Sequence, residues 1–121
     1  MKKIFGIICI CVLCSTTFSA TRQEKAALKK AEMYSNVMKM SKKAIYEQLV
    51  SEYGEAFDEA SAKYAIDNLK SDWNKNALEK AKVYQESMNM SKKAIYEQLI
   101  SEYGEQFTKE QAKYAIDNLP E

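Results

Sequence analysis

Four carboxylates are the first residues whose types and spacing could suggest chemistry, because each of them occurs twice, 50 positions apart. They are Glu47, Glu52, Glu55 and Asp67, with counterparts at Glu97, Glu102, Glu105 and Asp117. A pair of carboxylates can hydrolyse a glycosidic bond when a cleft raises the pKa of one of them. A module of about 45 residues has little room for a cleft, so we expect a protein that is not an enzyme.

Other catalytic and metal-binding residues are scarce in this sequence. The 121 residues include no histidine, which is the commonest general base and a frequent metal ligand. All three cysteines, Cys9, Cys11 and Cys14, lie near the N-terminus, and no Asp-x-Asp-x-Asp-Gly calcium loop occurs. The sequence therefore predicts no metal site and no cofactor.

The eight tyrosines lie in the duplicated part of the chain, four in each copy. Tyrosine combines a large contact area with a polar hydroxyl and is enriched at binding surfaces. We expect most of them to border a small core, and Tyr46 to be the best surface candidate because it lies beside the apolar stripe of Ile45 and Leu49. Tyr46, its counterpart Tyr96 and the eight carboxylates form the predicted protein-binding face, whose acidity suits a basic partner.

The charge balance disfavours a nucleic-acid partner. From Thr21 onward, 16 basic residues face 17 acidic ones, whereas binding to phosphates needs a net basic surface. The second and third helices of each copy form a helix-turn-helix, but the third helix offers Lys63 between Glu59 and Asp67. We interpret this motif as plain helix packing and expect no nucleic acid to bind.

The body of the chain consists of two tandem copies of one module. Residues 27–69 and 77–119 align without gaps, and 30 of the 43 aligned positions are identical. A period of this size is typical of one supersecondary unit per repeat. The sequence therefore predicts an all-α fold: two tandem three-helix modules containing helix-turn-helix repeats, over 21–70 and 71–121. Residues 70–76 are the predicted linker, and the sequence leaves open whether the modules pack together and what the oligomeric state is.

Capping signals place the helices within each module. Thr21 and Glu24 form a capping box before a first helix predicted over 24–39, and Pro120 follows the last helix. The other predicted N-caps are Ser41, Asp58, Asp72 and Thr108.

The second helix is predicted to bury Ile45, Leu49 and Tyr53 and to end at Gly54 in a left-handed conformation. The predicted core of the first module consists of Leu28, Ile45, Leu49, Phe57, Ile66 and Leu69.

The first twenty residues are predicted to be a signal peptide or a membrane anchor. Lys2 and Lys3 precede an apolar run over 4–13, which is shorter than the roughly 20 residues that span a bilayer. Three fates stay open: cleavage near Ser19 or Ala20, lipidation of Cys14, and retention of the segment. We expect an exported protein, at the outer face of the cytoplasmic membrane and cell surface, or secreted if cleavage occurs without lipidation.

The repeated strings resemble those of a known family. Asn-Ala-Leu-x-x-Ala-x-x-Tyr over 76–84 is followed by Met-Ser-Lys-Lys-x-x-Tyr-Glu-Gln-Leu, Ser-Glu-Tyr-Gly, Phe-Thr and Ala-x-Tyr-Ala-Ile-Asp-Asn. This combination is similar to the Ltp-type host cell surface-exposed lipoprotein repeat, and the resemblance covers both copies. The chain departs from a lipoprotein signal at Leu13, because a small residue is preferred directly before the lipidated cysteine.

The resemblance implies a function as well as a fold. In that family an N-terminal anchor carries tandem helix-turn-helix repeats outside the cytoplasmic membrane. Its members include prophage-encoded superinfection-exclusion lipoproteins, which block DNA injection by engaging the phage tape measure protein. The expected function is thus a membrane-associated binding protein with a phage protein as its partner. The alternative is a structural or adhesion module of the cell envelope with no role in phage defence.

Overall fold

A computed structural model describes residues 19–121 of the chain. These residues form six helices, and the described range contains no strand. The helices are α1 (Arg22–Asn36), α2 (Lys42–Val50), α3 (Glu59–Asn68), α4 (Trp73–Met88), α5 (Lys92–Ile100) and α6 (Lys109–Asn118). The first three helices make up repeat 1 and the last three make up repeat 2, which confirms the predicted all-α tandem fold. Most of the predicted signal or anchor segment, including Cys14, lies outside the described residues.

The predicted N-caps are confirmed. Thr21 and Glu24 form a reciprocal capping box, with hydrogen bonds of 2.9 and 3.0 Å. Thr108 forms the same motif with Gln111. The side chains of the remaining N-caps each accept a hydrogen bond from the backbone N–H three residues later: Ser41, Asp58, Asp72 and Ser91. These bonds satisfy N–H groups that a helix leaves without partners at its start.

The turn between the second and third helices folds back under the end of the second helix. In repeat 1, the N–H groups of Glu55 and Phe57 donate to the carbonyls of Gln48 and Leu49, at 3.0 and 2.8 Å. The chain passes so close to the helix that a Cβ atom on Gly54 would lie 2.5 Å from the carbonyl oxygen of Gln48. Glycine is needed here for close approach of the backbone.

This turn corrects two predictions about the second helix. The helix ends at Val50 because Ser51 is extended, so Tyr53 lies outside it and is 93% exposed rather than buried. The left-handed residue is Ala56, with a φ of 56°, and Gly54 does not have a positive φ.

The first helix is also shorter at its C-terminal end than the sequence predicts. Its last residue is Asn36, and Lys39, which the sequence places inside the helix, has a left-handed φ of 54°. The equivalent position in repeat 2 is Asn89, with the same φ. A left-handed residue ends a helix because the following backbone can no longer continue the helical hydrogen bonds.

Small residues allow the first and third helices of each repeat to make their most extensive contact with each other. Ala27, Ala31, Ala62 and Ala65 are fully buried in repeat 1, as are their counterparts in repeat 2. The second helix closes the bundle with its large apolar side chains. Of the six predicted core residues, two are fully buried, and the other four pack partly exposed against them: Leu28, Phe57, Ile66 and Leu69.

The connection between the repeats is short and structured. Trp73 is the first residue of α4 and packs against the core of repeat 1, so the connection between the helices runs over 69–72 instead of the predicted 70–76. Asn76 is buried and donates to the hydroxyl of Ser35 and to the carbonyl of Met40, both at 3.0 Å. The first turn of α4 therefore packs against repeat 1, although α4 belongs to repeat 2. None of the helices over 19–121 is long and apolar enough to cross a bilayer.

Candidate protein-binding surface

An exposed turn carries a glutamate and a tyrosine at the same place in each repeat. Tyr53 and Tyr103 are 93% and 94% exposed, the highest values among the large apolar residues of the described range. Glu52 and Glu102 precede them, are exposed, and take part in no ion pair within 19–121. We call these two segments, Glu52–Tyr53 and Glu102–Tyr103, the acidic-aromatic turns.

The predicted surface tyrosines Tyr46 and Tyr96 are half-buried instead of projecting into solvent. Each packs against its own core and also borders a groove. In repeat 2 the groove has a volume of about 420 Å³. Its lining residues come from α5 and α6: Lys92, Lys93, Tyr96, Glu97, Lys113, Ile116 and Asp117.

The corresponding groove in repeat 1 lies between the two repeats and has a volume of about 540 Å³. Repeat 1 contributes Lys42, Lys43, Tyr46 and Ile66. Repeat 2 contributes Ile100, Glu102, Gln106, Phe107, Thr108 and Gln111. The same face of the module is therefore shared with a neighbouring repeat in one copy and open in the other.

The predicted acids on the second and third helices have partners of different kinds. Asp67 and Asp117 form ion pairs within their helices, with Lys63 at 2.7 Å and Lys113 at 2.6 Å. These carboxylates raise the pKa values of the two lysines.

The two glutamates of the second helices differ between the repeats. Glu47 accepts a hydrogen bond of 3.1 Å from the side chain of Gln106 in the other repeat. Its counterpart Glu97 lies 3.5 Å from Lys93 on its own helix.

Glu55 and Glu105 point into their own repeats. The hydroxyl of Tyr34 donates to Glu55, and Lys30 lies 3.5 Å from the same carboxylate. Tyr84 and Lys80 hold Glu105 in the same way. These acids tie the turn to the first helix.

Burial and the neighbouring carboxylate both favour the neutral hydroxyl of these two tyrosines. Burial is the larger cause, and together they raise the pKa of Tyr34 and raise that of Tyr84 to about 12.

The structure thus separates the ten predicted site residues into groups. Five of them border the grooves: Tyr46, Tyr96, Glu97, Asp117 and Glu102. Glu47 and Asp67 do not line a groove and have polar partners, and Glu55 and Glu105 hold the turns against the first helices. Glu52 and Glu102 have no ion-pair partner in the described range. Tyr53 and Tyr103 are not among the predicted site residues, although Ser51-Glu-Tyr-Gly combines two turn-forming residue types around each of them. Over 19–121, no group of three or more His, Cys, Asp or Glu residues could hold a metal ion.

These features define a class of protein: an all-α chain of two tandem three-helix repeats, each presenting an acidic and aromatic turn. The family model described as host cell surface-exposed lipoprotein matches residues 22–69 and 72–119. The chain belongs to this family of host cell surface-exposed lipoproteins, which confirms the resemblance seen in the repeated strings. The description of the family agrees with the predicted export, and it does not describe an enzyme.

A solved structure is similar to this chain over most of its length. It is the structure of Ltp, a superinfection exclusion protein from the Streptococcus thermophilus temperate phage TP-J34. The two chains are 39% identical with a TM-score of 0.75, and the match covers 84% of this chain and all of the solved one. No curated protein matches the chain.

Proposed function

We propose that this protein excludes superinfecting phages by binding a phage protein at the outer face of the membrane. The observation that carries the proposal is the similarity to Ltp, at 39% identity over the whole of the solved chain. The expected partner is the phage tape measure protein, captured as it emerges at the membrane. Binding to it would stall DNA entry after the phage has adsorbed.

The acidic-aromatic turns are the proposed points of contact. An exposed tyrosine supplies a large rigid contact area, and tyrosine is among the residues that dominate binding energy at interfaces. The unpaired carboxylate beside it attracts a basic segment over a distance of about 8–10 Å at physiological salt. Because the turn occurs once per repeat, a long partner could contact both copies, which increases the overall affinity.

A plaque assay on cells that express the full chain tests this function. We expect expression to lower the efficiency of plaquing without lowering adsorption. The double variant Glu52→Lys/Glu102→Lys should lose the protection. Glu32→Lys/Glu86→Lys makes the same change of charge at two exposed positions on α1 and α4, and it should keep the protection.

Two outcomes would count against the proposal. Normal plaquing of every phage tested on expressing cells would favour the alternative of an envelope module without a phage role. Full protection by a folded Glu52→Lys/Glu102→Lys variant would remove the turns from the mechanism.

Attachment to the membrane through Cys14 is part of the same proposal. Lipidation would hold the repeats at the membrane, where the phage genome enters. Labelling cells with a radioactive fatty acid should mark the wild type and the Cys11→Ser control, and leave Cys14→Ser unlabelled. Equal labelling of the wild type and Cys14→Ser would contradict lipidation at this residue.

A further inference from the structure

Repeat 1 receives the turn of repeat 2 on one face of its second and third helices. The hydroxyl of Ser41 donates to the carbonyl of Glu105 at 2.5 Å, and the side chain of Gln106 donates to Glu47 at 3.1 Å. Phe107 and Thr108 line the groove between them. We call the surface of repeat 1 formed by Ser41, Lys42, Lys43, Tyr46, Glu47 and Ile66 the receiving face. The segment over 104–108 is the inserting turn.

Repeat 2 carries its own receiving face, on which no turn packs within 19–121; the C-terminal Glu121 contacts it, with its carboxylate 3.3 Å from Lys92. The residues have identical types: Ser91, Lys92, Lys93, Tyr96, Glu97 and Ile116. Ser41 is 1% exposed, whereas Ser91 is exposed although its local sequence is the same. The hydroxyl of Ser91 accepts the helix-capping bond from Ala94 and donates to no acceptor within 19–121.

Repeat 1 in turn carries an uncovered inserting turn, over 54–58. The carbonyl of Glu55 accepts no hydrogen bond in the described range, whereas the carbonyl of Glu105 accepts one from Ser41. Phe57 is partly exposed and Phe107 is buried.

Two sequence differences change the chemistry of the uncovered inserting turn. Ala56 stands where Gln106 stands in repeat 2, so the hydrogen bond to a glutamate is lost. Asp58 stands where Thr108 stands, which places a carboxylate opposite the lysine pair of a receiving face. An opposite charge therefore replaces the lost hydrogen bond, in competition with the ion pairs of Lys92 with Glu121 and of Lys93 with Glu97.

We propose that the uncovered receiving face of repeat 2 binds the uncovered inserting turn of a second copy of this chain. Ser91 of one copy then donates to Glu55 of the next, and Asp58 faces Lys92 and Lys93. The contact joins two different surfaces, so it is heterologous and can extend from copy to copy. Within the chain, the short connection over 69–72 keeps the inserting turn of repeat 2 at a high effective concentration next to repeat 1. Two separate chains have no such connection, so their association is weak until both are confined to a membrane. The occupant of the predicted site at Tyr96, Glu97 and Asp117 is thus another copy.

Two nearly isosteric substitutions at one position test the contact. Ala56→Gln restores the side chain that bonds to a glutamate in repeat 2 and should tighten self-association about tenfold. Ala56→Glu places a carboxylate against Glu97 and should weaken it by a similar factor. Sedimentation of the full chain in nonionic detergent, up to about 1 mM, measures both against the wild type. Any association through the N-terminal segment is common to all three proteins.

Mixing two variants tests the head-to-tail geometry. Ala56→Glu has an impaired inserting turn, and Glu97→Lys has a receiving face whose new ammonium group attracts the carboxylate introduced by Ala56→Glu. An equimolar mixture should form complexes more strongly than Ala56→Glu alone. Mixing with Glu86→Lys, which makes the same change of charge on α4, should restore only the wild-type contact and therefore form fewer complexes than mixing with Glu97→Lys.

Three outcomes overturn the proposal. They are a wild type and Ala56→Gln that both stay monomeric, equal association of Ala56→Gln and Ala56→Glu, and rescue by Glu86→Lys as strong as that by Glu97→Lys. None of them bears on the plaque assay, so this inference and the proposed function fail independently.

Discussion

The two repeats share nine consecutive residues from the second-helix cap onward, yet these residues have different surroundings. Over 41–49 the cap serine is buried against the other repeat, and over 91–99 the same serine is exposed. Trp73 and Asn76 have no equivalents at the start of repeat 1, where Gln23 and Ala26 occupy the aligned positions. The differences in burial therefore lie where the repeats meet. The same module packs against a neighbour in repeat 1 and leaves the equivalent surface exposed in repeat 2.

The largest expected effect comes from the apolar residue that both repeats bury completely. Leu49→Ala and Leu99→Ala should each lower the free energy of unfolding by about 2–5 kcal/mol, because truncating a buried leucine leaves a cavity. Urea denaturation measures the change. Lys42→Ala is the control and should be close to neutral because its side chain is exposed. A larger loss for Lys42→Ala than for Leu49→Ala would show that the helix faces are wrongly assigned.

A change at the junction tests whether the repeats unfold together. Asn76→Ala removes two buried hydrogen bonds to repeat 1 and should cost about 1–3 kcal/mol, since its partners lose their donor. It should also broaden or split the thermal transition. Asn74→Ala, at an exposed position of the same helix, should change neither. An unchanged single transition in Asn76→Ala would mean that this network does not couple the repeats.

High pH should affect the tyrosine that braces the second turn. The pKa of Tyr84 is about 12 in the folded chain against 10.0 for an ordinary tyrosine, so the unfolded state loses its proton first. The stabilisation is complete below pH 10 and is lost as the pH rises from 10 towards 12. Absorbance of the phenolate should show a component that titrates near pH 12, and Tyr84→Phe should remove it, whereas the raised pKa of Tyr34 should be unchanged. A wild type in which all tyrosines titrate near pH 10 would contradict this assignment.

The smallest effect should distinguish the left-handed residues of the two turns, Ala56 and Gln106. Ala56→Gly relieves a left-handed backbone that costs about 1–2 kcal/mol, and about 0.4–1 kcal/mol of this is offset by the freer unfolded chain. We expect a gain of roughly 0.5 kcal/mol in denaturant unfolding. Gln106→Gly also loses the bond to Glu47, so it should give no gain. Equal stabilisation by both changes would mean that this bond contributes nothing to stability.

The sequence predicts the helices well where the signals are local. Thr21, Ser41 and Asp58 were assignable as caps because an N-cap depends on the next three residues alone. Ala56 carries no comparable signal, because its left-handed backbone results from the chain folding back on Gln48.

The candidate site is harder to predict for the same reason. Glu52 and Glu55 both look like surface acids in the sequence, and only the packing of α1 brings Tyr34 to Glu55. Identical strings around Ser41 and Ser91 cannot show which serine a neighbour covers.

The way the turn folds under the second helix also affects how Tyr53 would bind. Backbone bonds from Glu55 and Phe57, and the contact of Glu55 with Tyr34, fix the turn before any partner arrives. A preorganised segment loses little conformational entropy on binding, so more of its contact energy appears as affinity. Gly54 then influences recognition without touching the partner: a side chain there would push the turn away from Gln48 and leave the tyrosine without a fixed position.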